Sequence, residues 1–203
     1  DAKTAAILGF SIFGTNHSYI IENNKINYEN LNNFLDKYWD KSFLIFGFTS
    51  YIFENLLENL NIKKINKSFS NGILIHGGGW KKLENKKISN QIFKKKLKNK
   101  LNLKKVINYY GLIEQTGSIF FECEKCATFS PSQYSDILIR DKNFNVLKNN
   151  QKGFIQLMSL LPKSYPGHNI ITEDIGEIIE NDCDLCKNKK KFLVHGRAEK
   201  SEI

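Results

Sequence analysis

The chain has 203 residues, 41% of them hydrophobic, so it is long enough to bury a substantial core and lies between one large domain and two small ones. Its formal charge is +9, but nearly all the basic residues are Lys and only Arg140 and Arg197 are arginines. The excess therefore reads as a solvated Lys-rich surface; base-edge readout leans on Arg, and nucleic acid is not the expected partner.

The longest dense apolar run, Phe43 to Phe53, is interrupted by Gly47, Thr49 and Ser50. It falls short of the roughly 20 residues a spanning helix needs. Nothing at the N-terminus reads as a secretory signal, which makes a soluble, cytoplasmic protein the expectation.

Leu31, Phe34, Leu35 and Tyr38 recur at helical spacing and predict a helix over Tyr28 to Asp40, followed by a strand over Phe43 to Phe48. Phe53, Leu56, Leu57 and Leu60 mark a second helix, capped by Thr49 or Ser50. Gly72 to His76 reads as a short buried strand. Ile88, Ile92, Phe93 and Leu97 mark a further helix, with Lys94, Lys95, Lys96, Lys98 and Lys100 on its outer face. Val106 to Tyr110 closes the series as a strand. This alternation predicts an α/β part with an open sheet covered by helices.

After about residue 118 the pattern changes to short β-like runs: Ser118 to Glu122, Tyr134 to Arg140, Gly153 to Ser159, Ile170 to Ile179 and Phe192 to His195. The predicted boundaries are an α/β part over 1–133, a smaller β-rich part over 134–195, expected as a distorted barrel, and a terminal stretch over 196–203.

Four separated segments could carry chemistry. His76-Gly77-Gly78-Gly79-Trp80 follows a buried strand, and consecutive glycines let the backbone approach a flat ligand where any Cβ would collide; His76 is placed to contact that ligand. Tyr110-Gly111-Leu112-Ile113-Glu114-Gln115-Thr116-Gly117 brings a carboxylate to a strand end, where α/β sheets bind ligands and where an acid beside phosphates holds Mg²⁺. Thr172-Glu173-Asp174-Ile175-Gly176 offers a carboxylate able to accept hydrogen bonds from a ribose diol. Gly196-Arg197-Ala198-Glu199-Lys200 offers a guanidinium for ribose or phosphate.

Cysteines occur only as Cys123-x-x-Cys126 and Cys183-x-x-Cys186, each on a polar turn beside a strand. This is the ligand grouping of a structural tetrahedral zinc site, with Lys187, Lys189, Lys190 and Lys191 to offset thiolate charge. Four reduced thiols, or disulfides in an exported protein, are the other readings. His17 lines a ligand pocket or is a satisfied core histidine, His168 helps a turn, and Trp80 packs.

In this order the four segments resemble the acyl-adenylate-forming superfamily of acyl-CoA synthetases, luciferases and peptide-synthetase adenylation domains. Most similar is the acyl-protein synthetase family of bacterial luminescence, the fatty-acid-activating part of a fatty acid reductase complex. The stretches ILIHGGGWKKL, YGLIEQTGSIFFEC, YSDILIRD, LPKSYPGHNIITEDIGEI and FLVHGRAEKSEI carry the resemblance along most of residues 70–203.

The resemblance implies that Gly77, Gly78 and Gly79 border an adenine, with Tyr110 and Gly111 beside it. It implies Glu114 as the catalytic Mg²⁺ ligand, Asp174 on the ribose, Arg197 on the nucleotide and Glu199 at a hinge. ATP would activate a carboxylic acid, expected to be a long-chain fatty acid, as acyl-AMP for transfer to a protein thiol, with a reductase or carrier protein as acyl acceptor. Two alternatives differ: delivery to coenzyme A or an acyl-carrier protein, and a zinc-stabilised nucleic-acid-binding module using the Lys-rich helix. Ile113 stands where the wider superfamily has Thr, and Glu173 where it has Gly. A start at Asp1 without Met and a stop in a polar pattern at Ile203 read as a fragment, inactive alone, lacking an upstream phosphate loop and a downstream mobile domain.

Overall fold

A computed structural model describes residues 2–199; the side chains of Ala2, Lys81 and Lys82 and the predicted hinge residues Lys200–Ile203 lie outside that description. The chain divides into two compact units, residues 1–108 and 109–203.

In the first unit helix α1 (Ala2–Ser11) precedes a small hairpin of β1 (Ile21–Glu22) and β2 (Lys25–Ile26). Asn23 and Asn24 form its two-residue turn, both at positive φ, as a twisted hairpin of this length demands. Helix α2 (Tyr28–Tyr38) starts where Asn27 accepts a hydrogen bond from the Asn30 N–H at 3.0 Å. Strand β3 (Phe43–Phe48) pairs in parallel with β4 (Gly72–Gly77), Phe43 opposite Gly72 and Phe48 opposite Gly77. Between them α3 (Thr49–Tyr51) widens into a π-helical stretch over Ile52–Asn59.

Helix α4 (Asn90–Leu101) is capped by Ser89, whose Oγ accepts from the Ile92 N–H, and ends at Asn102 in the left-handed region. Its buried stripe is Phe93, Leu97 and Leu101. Ile92, expected on that stripe, is exposed, because it sits about 100° round the helix from Phe93. Lys100 leaves the outer face as well: its stem lies half-buried and its Nζ donates to Leu57 O at 2.8 Å. Leu35, Leu56, Leu74 and Leu97 are fully buried and together with Phe93 form the centre of this unit's core. Each buried Leu contributes about 1.5–3 kcal/mol relative to an exposed one.

Strand β5 (Lys105–Gly111) begins with the Lys104 N–H on Gly72 O and passes from the first unit into the second. There its last residues pair antiparallel with β6 (Ile119–Phe121), Tyr110 opposite Phe120. Parallel pairing in β3–β4 and antiparallel pairing in β5–β6 make the α/β part mixed.

The rest of the second unit is an antiparallel sheet of β7 (Ser135–Arg140), β8 (Gly153–Ser159), β9 (Asn169–Ile179) and β10 (Lys191–Arg197), ordered β10-β9-β8-β7. The expected distorted barrel does not form among the described residues. Four strands in a row leave β7 and β10 as edges, and closure requires the two to pair with each other. Phe120, Phe129, Ile137, Ile155, Leu157 and Phe192 are buried in this unit's own core.

Candidate functional site

The glycine segment ends β4. His76 is almost fully buried, with its ring edge-to-face to Phe93 at 5.0 Å. Thr49, at the foot of α3, is buried beside it; the Thr49 hydroxyl donates to Gly77 O at 3.1 Å and its oxygen lies 3.1 Å from His76 Nδ1. One hydroxyl has one proton, so with that proton on Gly77 O the Nδ1–H donates to Thr49, and Nε2 is left as a buried acceptor without a partner. Burial, reinforced by the Lys94 charge, pulls the His76 pKa down to about 3, so the ring is neutral. Thr49 was expected to cap a helix. No side-chain cap forms there, and its hydroxyl pins the glycine turn instead.

Beyond that anchor the backbone opens. Gly78 has φ +76, a conformation that favours glycine, and a Cβ built there would meet only Phe48 at 3.6 Å. A Cβ on Gly79 would meet nothing within 4 Å. The turn is thus a backbone edge anchored at Gly77 by Thr49, with open space beside Gly79.

In the second unit three of the predicted residues come together. The Tyr110 hydroxyl donates to Asp174 Oδ2 at 2.8 Å, and Asp174 stands opposite Arg197 in the β9–β10 ladder. Burial first, then the Asp174 carboxylate, push the Tyr110 phenol well above its ordinary range, so it remains a donor. Its ring packs against Phe120, Phe129 and Phe192. Asp174 is held from its own strand too, its N–H donating to Thr172 Oγ1 at 3.1 Å. A bulge between Val194 and Gly196, with Gly196 at φ +127, re-aims the end of β10 so that Arg197 falls opposite Asp174. The Arg197 guanidinium is largely exposed and lies 3.6 Å from Glu173, an ion pair of little energetic weight.

Glu114 is exposed on the turn between β5 and β6. Sequence reasoning missed what holds that turn. Gln115 is buried and its Nε2 donates to Leu157 O and to Gly167 O, while its Oε1 accepts from the Ser118 hydroxyl. Thr116 N–H donates to the Tyr165 hydroxyl at 2.9 Å, and Ser159 Oγ donates to Thr116 O at 2.6 Å. The only signal in the sequence is an amide between two glycine-flanked turns. His168 contributes its carbonyl to Ser159 N, one step past the Met158–Asn169 pair of the β8–β9 ladder, and Trp80 packs against Phe53 and Phe93. Glu199 is exposed beyond β10.

The four cysteines converge in the second unit, all four Sγ atoms lying within 4.8 Å of one another. Cys123 faces Cys183 at 3.8 Å and Cys126 faces Cys186 at 3.4 Å, with the Thr128 hydroxyl 3.1 Å from Cys126 Sγ. Burial and the Cys126 thiol push Cys186 up to about 12. At Cys126 burial is outweighed by hydrogen bonds from Thr128 and Cys186, and its pKa falls to about 6.

A cavity of about 630 Å³ lies in the first unit, walled by Ile7, Phe10, Phe34, Tyr38 and Phe46 and reached by His17, whose Nε2 is 2.9 Å from Ser11 O. Among the described residues no helix is long and apolar enough to cross a membrane.

An α/β part with a mixed sheet, followed by an antiparallel sheet, is the large-domain architecture of adenylate-forming enzymes. The 2-hydroxyisobutyryl-CoA ligase in complex with its acyl-AMP and CoA matches with TM-score 0.65 at 15% identity, over 84% of this chain and 36% of that one. ATP-bound MatB from Rhodopseudomonas palustris matches at 0.53 and 12%, over 85% and 33%, and the luciferase-like enzyme of the mealworm Zophobas morio at 0.55 and 18%, over 85% and 41%. The chain therefore spans well under half the length of these proteins. No curated protein matches it. The family model "Acyl-protein synthetase, LuxE" matches residues 1–203, and the chain belongs to that family.

Proposed function

We propose that the protein of which this chain is part activates a carboxylic acid as acyl-AMP with ATP and passes the acyl group to a protein thiol. The observation that supports this most is the junction of Tyr110, Asp174 and Arg197. Three motif residues far apart in sequence meet there, and the resemblance assigns Asp174 to the ribose and Arg197 to the nucleotide.

Each residue has a task in this reading. A carboxylate has about four acceptor sites, so the bond from Tyr110 fixes the orientation of Asp174 and leaves capacity for a ribose diol. Tyr110 acts by positioning Asp174, its ring being held in the aromatic core. Arg197 offers two parallel donors to ribose or phosphate oxygen. Glu114, on a turn anchored by Gln115 and Tyr165, would hold Mg²⁺, which when bound offsets charge developing on the departing pyrophosphate. Gly78 and Gly79 border the adenine, kept in place by Thr49.

The apolar cavity supports a fatty acid as substrate, its volume falling within the range of small-molecule sites. Each methylene buried in it is worth about 0.8 kcal/mol, or about fourfold in kcat/KM. Acid-dependent exchange of labelled pyrophosphate into ATP by the intact protein tests both parts. Activity should rise about fourfold per added methylene until the cavity is full, and Glu114→Ala or Asp174→Ala should abolish it. Label retained on the protein after denaturation would identify a protein thiol as acceptor; label appearing on added coenzyme A or carrier protein would reassign it. Full exchange by both variants, or none with any acid, defeats the proposal.

A further inference from the structure

We propose that Cys123, Cys126, Cys183 and Cys186 form a tetrathiolate Zn²⁺ site that straps the β6 end to the β9–β10 turn, fastening the strands that carry Tyr110, Asp174 and Arg197. This goes beyond the acyl-transfer reading and does not depend on it.

The geometry points to zinc. A tetrahedral ion with Zn–S bonds of about 2.3 Å sets its sulfurs about 3.8 Å apart. Cys123 and Cys183 lie 3.8 Å apart, Cys126 and Cys186 lie 3.4 Å apart, and no sulfur pair exceeds 4.8 Å. A disulfide needs about 2.0 Å, and all four cysteines are free. Four thiols with no other ligand type suit a soft, tetrahedral site, and a closed one at that, since Cys183 and Cys186 are buried and no position is left for a water.

The backbone at each pair is shaped for the same purpose. Ala127, directly after Cys126, sits at φ 57, and its N–H turns back to Cys123 O at 2.9 Å. Asn188, two residues after Cys186, sits at φ 64, with Cys186 N–H on Cys183 O. An alanine in the left-handed region costs about 1–2 kcal/mol and persists only where its surroundings enforce it. Four sulfurs on one ion would do so. The Thr128 hydroxyl, 3.1 Å from Cys126 Sγ, supplies the kind of outer hydrogen bond that orients a thiolate ligand.

The position in the fold gives the site its role. Cys123 and Cys126 follow β6, whose Phe120 is the ladder partner of Tyr110; Cys183 and Cys186 lie between β9 and β10, whose residues Asp174 and Arg197 face each other. Apart from a metal, the two pieces are joined by the Phe129–Phe192 backbone bridge and by the Lys125–Asp184 ion pair at 2.5 Å. Zinc would close a loop of nearly sixty residues at that point.

The test is elemental analysis of the intact protein purified with reductant and without chelator, followed by titration of the chelator-stripped protein with Co²⁺. One zinc per chain, whose removal by chelator exposes all four thiols together, and intense visible bands of a tetrahedral cobalt–thiolate site are the expected results. A Cys183→Ser, Cys186→Ser double variant should contain no zinc. Should it fail to fold, the metal content and cobalt spectrum of the unaltered protein still decide. Four thiols reacting at once in a metal-free protein, two disulfides by non-reducing mass spectrometry, or iron in place of zinc would each overturn the proposal.

Discussion

His76 gives the account a quantitative handle. Its pKa is about 3 in the folded protein against 6.5 for the free side chain, because burial and Lys94 disfavour the imidazolium. Between those values the unfolded chain binds more protons than the native one, so stability rises with pH across this window and is flat above it. The native contribution is therefore complete above about pH 6.5 and is lost as pH falls toward 3, at about 1.4 kcal/mol per unit. At about pH 5 the loss reaches about 2 kcal/mol.

His76→Asn isolates this one group from all other titrations. An Asn side chain can still donate to Thr49 and cannot titrate, so it keeps the anchor of Gly77. Urea unfolding of the intact protein and the variant, at about pH 7.5 and about pH 5, gives the difference between the two stabilities at each pH. That difference should shift by about 2 kcal/mol in favour of the variant on acidification. A difference that does not change with pH would refute the reasoning, since it would mean that His76 reaches solvent or has a proton acceptor.

Gly79→Ala should change stability by less than about 0.5 kcal/mol, because its Cβ meets nothing, yet raise the KM for ATP; an unchanged KM removes the glycine turn from the nucleotide. Tyr110→Phe deletes only the donor to Asp174 and should cost about 1.5–3 kcal/mol in urea unfolding, with a higher KM for ATP; a neutral outcome would show that Asp174 does not need it. Thr128→Val keeps the shape of the side chain and should weaken zinc about 10- to 100-fold in a competition titration with a chelator; unchanged affinity would free Cys126 from its hydroxyl partner.

Local pattern carried much of the fold. The strand predicted over Phe43 to Phe48 and that over Gly153 to Ser159 form with those bounds, because runs of apolar and β-branched residues bounded by turns admit little else. Helix α1 escaped because AKTAAILGFS is apolar on nearly all sides and has no periodic stripe to read. The π-helical turn over Ile52–Asn59 escaped because Phe53, Leu56, Leu57 and Leu60 satisfy a regular helix equally well.

The barrel failed for a related reason. Alternation along β7 to β10 shows that each strand has an inner face but says nothing about whether the edges pair. At the site, Asp174 and Arg197 could be named from their motifs, but the bulge at Gly196 that sets them opposite each other was not visible. Gln115 and Thr49 were missed because their roles arise from carbonyls distant in sequence. The cysteine pairs were legible because metal-ligand spacing is local, and their convergence is a property of the β6 and β9–β10 turns together.

The most direct measurement uses a carboxylic acid labelled with heavy oxygen on its carboxylate, turned over by the intact protein with ATP and its acyl acceptor. Attack of that carboxylate on the α-phosphorus predicts one labelled oxygen in the AMP released and none in pyrophosphate. Label in inorganic phosphate with ADP as co-product would mean that an acyl phosphate forms instead, and would contradict the account.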